Sequence, residues 1–338
     1  MRFLICGLGS IGRRHLRNLV ALNHADIVLL RSGKSTLPEE DLKDFPTEHD
    51  IEIALERGKP DAVIVSNPTA VHLNIAIPAA EAGCHLLIEK PISHSMDQID
   101  SLKRAMEERK PRVLVGYQFR YHPSLRNVKK LLKDGVIGEV ISARVYWGEY
   151  LPGWHPWEDY RQSYSARSDL GGGVILTLSH PFDYLRWLLG EVHSVSANYG
   201  ITGVLDLDVE DTAEVILQFQ SGAFANVHLD YITQPPKHWI ELVGSKGSLR
   251  WDNADGAVHW WTESTQGWLT LTAPEGFERN HLFLEEMEHF IDVIDGAAQP
   301  ICTLDDGIRA LEIALGAIRS GEEGCRVVLD VEEKEHAD

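Results

Sequence analysis

A glycine-rich turn near the amino end constrains this chain more than any other feature. The strand-like run RFLIC, residues 2–6, leads into Gly7-Leu8-Gly9-Ser10-Ile11-Gly12, and a helix pattern follows. In such a turn the first glycine permits the tight bend, the second lets the backbone approach a pyrophosphate, and the third lets the helix pack on the strand. The amides at the start of the helix then bind the anion. The pattern predicts dinucleotide binding through Gly7, Gly9, Ser10, Ile11 and Gly12, and a turn without a ligand is the alternative.

Strand-like and helix-like stretches alternate through the first third of the chain. The strand-like runs lie at 2–6, 27–30, 62–66, 85–88 and 113–115, and the helix patterns at 11–22, 51–57, 71–82 and 96–108. This order predicts a doubly wound parallel sheet, and the uninterrupted apolar strands predict burial on both faces.

After about residue 120 strand-like runs follow one another, which predicts a largely antiparallel sheet. These runs lie at 140–149, 193–199, 212–219, 222–231, 238–243, 248–251 and 258–261, with helix patterns at 124–134, 173–189, 280–296 and 304–320. We therefore expect an α/β fold class, with a doubly wound dinucleotide-binding domain at 1–120. An α+β domain with an open, largely antiparallel sheet follows at 121–338, and the charged tail after Asp330 is expected to be mobile.

Length and charge narrow the possible partners. The 338 residues are long for one compact core, and 32 basic against 51 acidic residues give a net charge of −19. Such a surface repels nucleic acid and anionic membranes, and no run of about 18 apolar residues predicts a membrane span. No secretion signal is visible, and the four scattered cysteines form no CxxC pair, so we expect a cytoplasmic protein with reduced thiols.

The end of the second predicted strand bears on the choice of cofactor. An NAD enzyme normally places Asp or Glu there, about 20 residues beyond the glycines, to bind the ribose 2′-hydroxyl. This chain instead reads Leu30-Arg31-Ser32-Gly33-Lys34-Ser35, with cations and hydroxyls that suit a 2′-phosphate. The segment predicts that NADP(H) is preferred and NAD(H) possible, unless Arg31 and Lys34 are solvated loop charges.

Two further strand ends lie where open α/β sheets bind ligands. Asn67, Pro68 and His72 follow the third strand, and Glu89, Lys90 and Pro91 follow the fourth. We assign Asn67, Pro68, His72, Glu89 and Lys90 to the cofactor site. An exposed ion pair between Glu89 and Lys90 is the alternative.

Together the segments GLGSIG, SNPTAVH, GCHLLIEKPIS and GGGVILTLSHPFDYLRWLLG make nearly the whole chain resemble the Gfo/Idh/MocA oxidoreductase family, named after glucose-fructose oxidoreductase, inositol dehydrogenase and rhizopine catabolism. The resemblance implies an N-terminal Rossmann domain and a second domain that binds substrate. It also implies a small carbohydrate-like substrate and assembly into homodimers or homotetramers through the open sheet. We expect Phe219, Phe224, Val227 and their neighbours to form that contact.

Oxidation of a secondary alcohol removes a hydride from carbon and a proton from oxygen, so a proton-accepting group must contact the hydroxyl. The resemblance assigns this catalytic role to Lys90, often with Glu89 and a cis bond before Pro91 shaping the turn. It places His180 as a second catalytic and substrate-binding residue, and Thr177 at a position where the family commonly has Asp. Thr177 offers a hydrogen bond but no carboxylate, and a His180 satisfied by backbone or water is the alternative.

The predicted helix 173–189 carries this part of the site. At helical spacing Gly173, Thr177, His180 and Tyr184 share one face, and Pro181 inside the helix predicts a kink that aims His180.

Other substrate contacts are predicted in two segments. Tyr117 and Arg120 resemble the family segment that lines the pocket, although packing is an equal alternative. The loop of residues 154–161 offers Trp157, Tyr160 and Arg161, which suit either a sugar pocket or a loop that covers the sheet. The remaining histidines show no HxxxH or HxH spacing, so no metal site is expected.

The leading interpretation is an NAD(P)-dependent oxidoreductase that transfers a hydride to or from a polyhydroxylated sugar, sugar acid or cyclic polyol. Two alternatives are an enzyme of the epimerase or lyase type with transient redox chemistry, and a catalytically silent nucleotide-sensing regulator.

Overall fold

The computed structural model describes residues 1–33, 37 and 40–330, so Lys34 and the charged tail lie outside the described residues. The chain divides into two compact units. The first contains residues 1–121, 167–172 and 276–311, and the second contains 122–166, 173–275 and the described chain from 312 onward. The sequence pattern predicts one boundary near residue 120, whereas two later segments return to the first unit.

The first unit is built on a parallel sheet of six strands in the order β3-β2-β1-β4-β5-β6. The strands are β1 (Phe3–Cys6), β2 (Ile27–Leu30), β3 (Thr47–Glu48), β4 (Ala62–Val65), β5 (His85–Glu89) and β6 (Val113–Gly116). β1, β4 and β6 are buried along their whole length, because helices cover both faces. The predicted doubly wound sheet is confirmed; β3 was not predicted.

Helices of the first unit connect these strands or return to them from later in the chain. They are α1 (Ser10–Ala21), α2 (Ile51–Gly58), α3 (His72–Glu81), α4 (Ile99–Arg109) and α8 (Arg279–Asp295). The pattern placed the start of α4 at Met96, three residues too early. Helix α8 packs beside α1. The ring of its Phe283 faces the imidazole of His15 and the guanidinium of Arg14.

The second unit is built on a sheet of nine strands in the order β14-β13-β12-β11-β7-β10-β9-β8-β15. The strands are β7 (Val140–Gly148), β8 (Val192–Gly200), β9 (Thr212–Phe219), β10 (Phe224–Asp230), β11 (Lys237–Gly244), β12 (Gly247–Asp252), β13 (Val258–Thr262), β14 (Trp268–Leu271) and β15 (Val327–Val328). Only the β7–β10 pair is parallel among the described pairings. The largely antiparallel sheet is confirmed, whereas β14 and β15 were not predicted.

Side chains alternate between the two faces of this sheet. In register, Val145 of β7, Val227 of β10 and Ile240 of β11 are buried on one face. Their neighbours Arg144 and Asn226 are exposed on the other face. This alternation is the period of two expected for a strand with one face in the core.

The helices of the second unit correct one prediction. They are α5 (Pro123–Lys133), α6 (Val174–Thr177) and α7 (His180–Leu189), while α9 (Leu304–Glu323) begins in the first unit and ends in the second. The single helix predicted at 173–189 is wrong, because α6 ends at Thr177 and α7 starts at His180. Pro181 therefore lies in the first turn of α7, where its missing N–H costs no helical bond.

Within the described ranges, none of the helices combines the length and apolarity needed to span a bilayer.

Candidate functional site

Gly7, Gly9 and Gly12 of the predicted phosphate turn have different surroundings. Gly7 has φ +89°, and a Cβ there would lie 2.5 Å from the backbone of Asn67. A Cβ on Gly12 would lie 1.8 Å from the carbonyl oxygen of Gly7. A Cβ on Gly9 would meet no atom of the described chain within 4 Å. The fold thus requires Gly7 and Gly12, whereas the space beside Gly9 is open to a ligand.

Helix α1 starts directly after this turn, with Ser10 exposed and Ile11 partly buried. As far as the described chain extends, the helix has neither a side-chain cap nor an acidic residue in its first turn. The first amides of a helix lack partners within it, and the helix dipole adds partial positive charge. Arg13 fastens the turn, since its Nε donates to the carbonyl oxygen of Leu8 at 2.9 Å. A pyrophosphate fits this arrangement.

Arg31 and Ser32 directly follow β2, as predicted. The backbone N–H of Arg31 donates to the carbonyl oxygen of Glu48 at 3.0 Å, and its own carbonyl oxygen lies 2.7 Å from Nδ1 of His49. These contacts fix the backbone of Arg31. A basic residue therefore occupies the strand end where an NAD enzyme normally carries an acid.

Asn67 and Pro68 follow β4 and lead into a short 3-10 turn, Thr69–Val71. The Asn67 amide donates from Nδ2 to the carbonyl oxygen of Val71 at 3.0 Å. Its Oδ1 is buried and has no hydrogen-bond partner among the residues that the structure describes. This acceptor at the carboxyl end of the sheet is a position where a bound ligand would supply the missing donor.

His72, at the start of α3, connects two strand ends. Its Nδ1 lies 2.9 Å from the carbonyl oxygen of Pro91, and its Nε2 lies 2.8 Å from that of Asn67. Burial lowers the pKa of His72, although both carbonyls and the charge of Glu89 oppose this effect. A neutral ring donates to only one carbonyl at a time. His72 therefore lies between the segments after β4 and β5 and donates to one of them at a time.

Lys90 follows β5, is partly buried, and precedes a cis bond to Pro91. The preceding Glu89 is buried, and its Oε2 accepts the backbone N–H of Lys90 at 3.3 Å. Burial alone would raise the pKa of Glu89, but the hydrogen bond and charge of His15, with the charge of Lys90, lower it. Glu89 is therefore an ionised residue that shapes the chain at Lys90. It is not the exposed ion-pair partner of the alternative interpretation.

Three buried residues form what we call the acid–histidine cluster: His15, Glu89 and Glu286. Nε2 of His15 lies 2.7 Å from Oε1 of Glu89. One nitrogen or oxygen atom from each member lies within 4.8 Å of the others. Both His15 and Glu286 have side chains inaccessible to solvent. The cluster was not predicted.

Tyr117 and Arg120 are both buried in the first unit. The guanidinium of Arg120 donates to the carbonyl oxygen of Ile301 and lies 3.1 Å from Oδ2 of Asp306. These contacts tie the segment after β6 to the chain that returns to the first unit. They favour the packing alternative for Arg120 over a substrate contact.

Thr177 and His180 lie in the core of the second unit, each about 2% exposed. Because a break separates α6 from α7, the prediction that Gly173, Thr177, His180 and Tyr184 share one continuous helix face is wrong. His180 stacks on the indole of Trp147, with ring centroids 5.3 Å apart. This stacking fixes the plane of the imidazole.

Glu210 holds the start of α6. Its backbone carbonyl oxygen accepts the N–H of Val174 at 3.0 Å, and its side chain accepts the N–H of Ile175 at 3.2 Å. A Cβ on Gly173 would lie 2.3 Å from the Glu210 carboxyl, so only glycine fits there. Burial raises the pKa of Glu210 to about 7, despite the hydrogen bond from Ile175. Sequence reasoning did not single out this residue.

The loop of residues 154–161 presents its predicted contact residues to solvent. Trp157 is 68% exposed, and its Nε1 donates to Glu158. Arg161 pairs with Asp159 at 2.9 Å, and its guanidinium lies 5.9 Å from the ring of Tyr160. An indole this exposed does not cover the sheet, which leaves it accessible for ligand contact.

Two family models cover most of the chain. Residues 1–117 match the Gfo/Idh/MocA model described as the oxidoreductase family, NAD-binding Rossmann fold. Residues 129–329 match the corresponding C-terminal alpha/beta domain. The chain belongs to the Gfo/Idh/MocA family. It is therefore an oxidoreductase, as its sequence motifs predict.

Relatives of this Gfo/Idh/MocA chain extend over its whole length. It is 28% identical to the uncharacterized oxidoreductase YrbE of Bacillus subtilis (strain 168), covering 98% of this chain and 97% of that protein. It is also 28% identical to scyllo-inositol 2-dehydrogenase (NAD(+)) of the same organism, with the same coverage. The fold matches levoglucosan dehydrogenase in complex with NADH, with a TM-score of 0.86 at 20% identity over 98% of this chain and 99% of that one.

The members of this site that sequence reasoning missed are buried polar residues with distant partners. Glu286 alone carries a detectable signal, because it interrupts the apolar stripe of α8 formed with Phe283, Met287 and Phe290. His15 and Glu210 lie in segments whose composition is ordinary.

Proposed function

We propose that this chain transfers a hydride between a nicotinamide cofactor, preferably NADP(H), and a hydroxyl-bearing carbon of a polyhydroxylated sugar, sugar acid or cyclic polyol. The observation that carries the proposal is that Lys90 and the phosphate turn lie at the same edge of the parallel sheet. β1, β4 and β5 are neighbouring parallel strands, so the segments after them meet at one edge of the sheet. The cyclic polyol and anhydrosugar named for the relatives support this substrate class.

The cofactor residues of the proposal fit a dinucleotide. Gly7, Gly9, Ser10, Ile11 and Gly12 hold its pyrophosphate, because the space at Gly9 is open and the helix start is uncapped. Arg31 and Ser32 are assigned to the ribose 2′ position, and Asn67, Pro68 and His72 shape the neighbouring edge. The bound nicotinamide supplies the centre that accepts or donates the hydride.

Lys90 is assigned the proton of the reacting hydroxyl. A lysine amine takes up that proton during oxidation and returns it during reduction. Glu89 holds the backbone at Lys90 and adds a negative charge beside it. The chemistry therefore needs both a positioned amine and the carboxylate that fixes its backbone.

In the second unit we assign substrate hydrogen bonds to His180 and Thr177, and contacts with sugar hydroxyls or C–H faces to Trp157, Tyr160 and Arg161. The stacked ring of His180 is suited to one fixed hydrogen-bond direction. Arg120 receives a structural role instead, and the substrate contact of Tyr117 stays a prediction.

The test of this function is turnover with a panel of cyclic polyols, anhydrosugars and sugar acids, with either cofactor. We expect a stoichiometric change in reduced-nicotinamide absorbance. Lys90→Met should lower kcat by about 10²- to 10⁴-fold. Lys103→Met, on the exposed face of α4, is the matched control. Parental turnover in Lys90→Met would remove the assigned role, and product without net absorbance change would indicate transient redox chemistry.

The cofactor preference has its own test. Arg31→Ala should reduce the ratio of NADP(H) to NAD(H) affinity by about tenfold or more, since a charged hydrogen bond to the 2′-phosphate contributes roughly 1.5–3 kcal/mol. The exposed Arg57 of α2 provides the control variant Arg57→Ala. An unchanged ratio, or tighter binding of NAD(H) by the parent, would contradict the assignment.

We also propose self-association through the open face of the nine-stranded sheet, defined by Ile216, Phe224, Val243, Trp261 and Trp268. The strand register places these residues on one face, and each is between 37% and 49% exposed. Exposed apolar residues in such a row are typical of a surface that binds another protein. A homodimer or homotetramer accounts for it. Of the residues predicted for this contact only Phe224 is exposed, because Phe219 and Val227 face the core.

A further inference from the structure

Helix α8 buries a carboxyl group where its pattern requires an apolar side chain. Phe283, Glu286, Met287 and Phe290 follow one another at helical spacing on its buried face. Glu286 is 0% exposed, and neither of its carboxyl oxygens has a hydrogen-bond partner within the described chain. An isolated carboxylate is strongly disfavoured in such surroundings. The group therefore needs a proton or a compensating positive charge.

The nearest titratable neighbours do not supply that charge. Glu89 lies within the same 4.8 Å set of atoms, and two ionised carboxylates at this separation repel each other. His15 is the other basic side chain of the cluster, and its Nε2 binds Oε1 of Glu89 at 2.7 Å rather than Glu286. Burial, and then the charge of Glu89, raise the pKa of Glu286 well above its usual value.

Basic groups also surround the acid–histidine cluster. The charged and titratable groups that act on it are Arg14 and His15 of α1, His72 of α3, and Glu89 and Lys90 at the end of β5. The guanidinium of Arg14 lies 4.3 Å from the ring of Phe283, one helical turn from Glu286. The positive charges of Arg14 and Lys90 oppose the entry of a divalent metal ion. A proton on Glu286, rather than a metal ion, therefore neutralises the buried carboxyl group.

We propose that Glu286 is a positioning residue that carries a proton and, together with His15, holds the carboxylate of Glu89 and through it the backbone of Lys90. A neutral carboxyl group offers a donor to Glu89, which lies within 4.8 Å, whereas an ionised one repels it. Because Oε2 of Glu89 accepts the N–H of Lys90, the position of this carboxylate fixes the backbone at Lys90. The link to catalysis rests on the function proposed above for Lys90.

Infrared difference spectroscopy tests the protonation without cofactor or substrate. The spectrum of the parent minus that of Glu286→Gln should contain the carbonyl stretch of a protonated carboxylic acid at neutral pH. Glu288→Gln, an exposed glutamate of the same helix, should show no such band. If the parent lacks the band yet turns over substrate, the protonated Glu286 is refuted while the proposed function stands.

Kinetics then test the positioning role. Glu286→Leu, which cannot donate, should lower kcat by about 10- to 100-fold through misplacement of Lys90 and should shift the pH–rate profile, with cofactor affinity retained. Glu286→Gln, a neutral donor of the same shape, should retain most of the activity. A Gln variant as impaired as the Leu variant would overturn the proposal. So would a stoichiometric divalent metal in the purified protein that Glu286→Gln abolishes.

Discussion

At the scale of single residues, the glycines of the phosphate turn serve two purposes, since the fold requires some of them and ligand binding requires another. Gly7 and Gly12 touch backbone atoms that a side chain would displace, whereas a Cβ on Gly9 meets nothing in the described chain. The backbone of Gly9 has φ −72°, which any residue adopts. Glycine at this position is therefore explained by the approach of a ligand rather than by the fold.

Gly9→Ala should separate these two demands. We expect the free energy of unfolding to change by less than about 0.5 kcal/mol, while the dissociation constant for the nicotinamide cofactor rises by about tenfold or more. Gly200→Ala is the control, because a Cβ there also meets no described atom and the site lies in the other unit. Calorimetry and fluorescence titration measure both quantities. Unchanged affinity in Gly9→Ala would contradict the assigned pyrophosphate site.

Sequence alone predicts this turn and Lys90 because both are local patterns placed at strand ends. The acid–histidine cluster is different in kind, since α1, β5 and α8 each contribute one member and 271 positions separate His15 from Glu286 (286 − 15). No local sequence pattern predicts that these three residues lie together. The interrupted stripe of α8 reveals that Glu286 is unusual, but not which residues it meets.

At the scale of elements, the segment 173–189 shows how a side chain from elsewhere decides where helices begin. Period and composition predict one helix, yet Glu210 binds the amides of Val174 and Ile175, and α6 ends after four residues. Pro181 then suits the first turn of α7. The start of α6 could not be predicted because Glu210 lies more than thirty residues later in the chain.

Glu210 also predicts a pH dependence of stability. Its pKa in the folded state is raised to about 7 from the usual 4.5, so its contribution is fully present below about pH 4.5 and is lost as the pH rises through 7. Glu210→Gln cannot ionise, and we expect it to exceed the parent in unfolding free energy at pH 8, by up to about 3 kcal/mol.

Denaturant titrations of Glu210→Gln between pH 5 and pH 8 measure this effect, with the exposed Glu263→Gln as the control. The difference between Glu210→Gln and the parent should shrink as the pH falls. A difference that stays constant across that range would show that Glu210 does not titrate there.

At the scale of the whole molecule, the fold class was predictable from the order of the elements. Strands alternate with helices in the first domain and follow one another in the second. The connection between the units was not predictable, since residues 276–311 read only as helices and nothing in their pattern says which sheet they cover. Helix α8 belongs to the first unit because Phe283 and Leu282 pack with Tyr121. These partners are more than 160 residues apart in sequence.

The open face yields a prediction about assembly. Phe224→Asp places a charge in the middle of the apolar row, opposite Ser142 and Gln218 of the neighbouring strands. Burying that charge in an interface is unfavourable, so we expect sedimentation to show the mass of a single chain where the parent shows a dimer or tetramer. Ile201→Asp, at an exposed apolar residue beyond the end of β8, should assemble as the parent does. A monomeric parent would contradict self-association.

The return of residues 276–311 to the first unit affects how the protein is made. The ribosome completes β1 to β6 early, yet α8, which supplies Glu286 to the cluster beside Lys90, leaves the ribosome only after the entire sheet of nine strands except β15. Until then the amino-terminal third of the nascent chain lacks α8 and the contacts of this helix with His15 and Tyr121. A stop codon placed before residue 276 would remove α8 from the first unit, although all six strands of its sheet would be present.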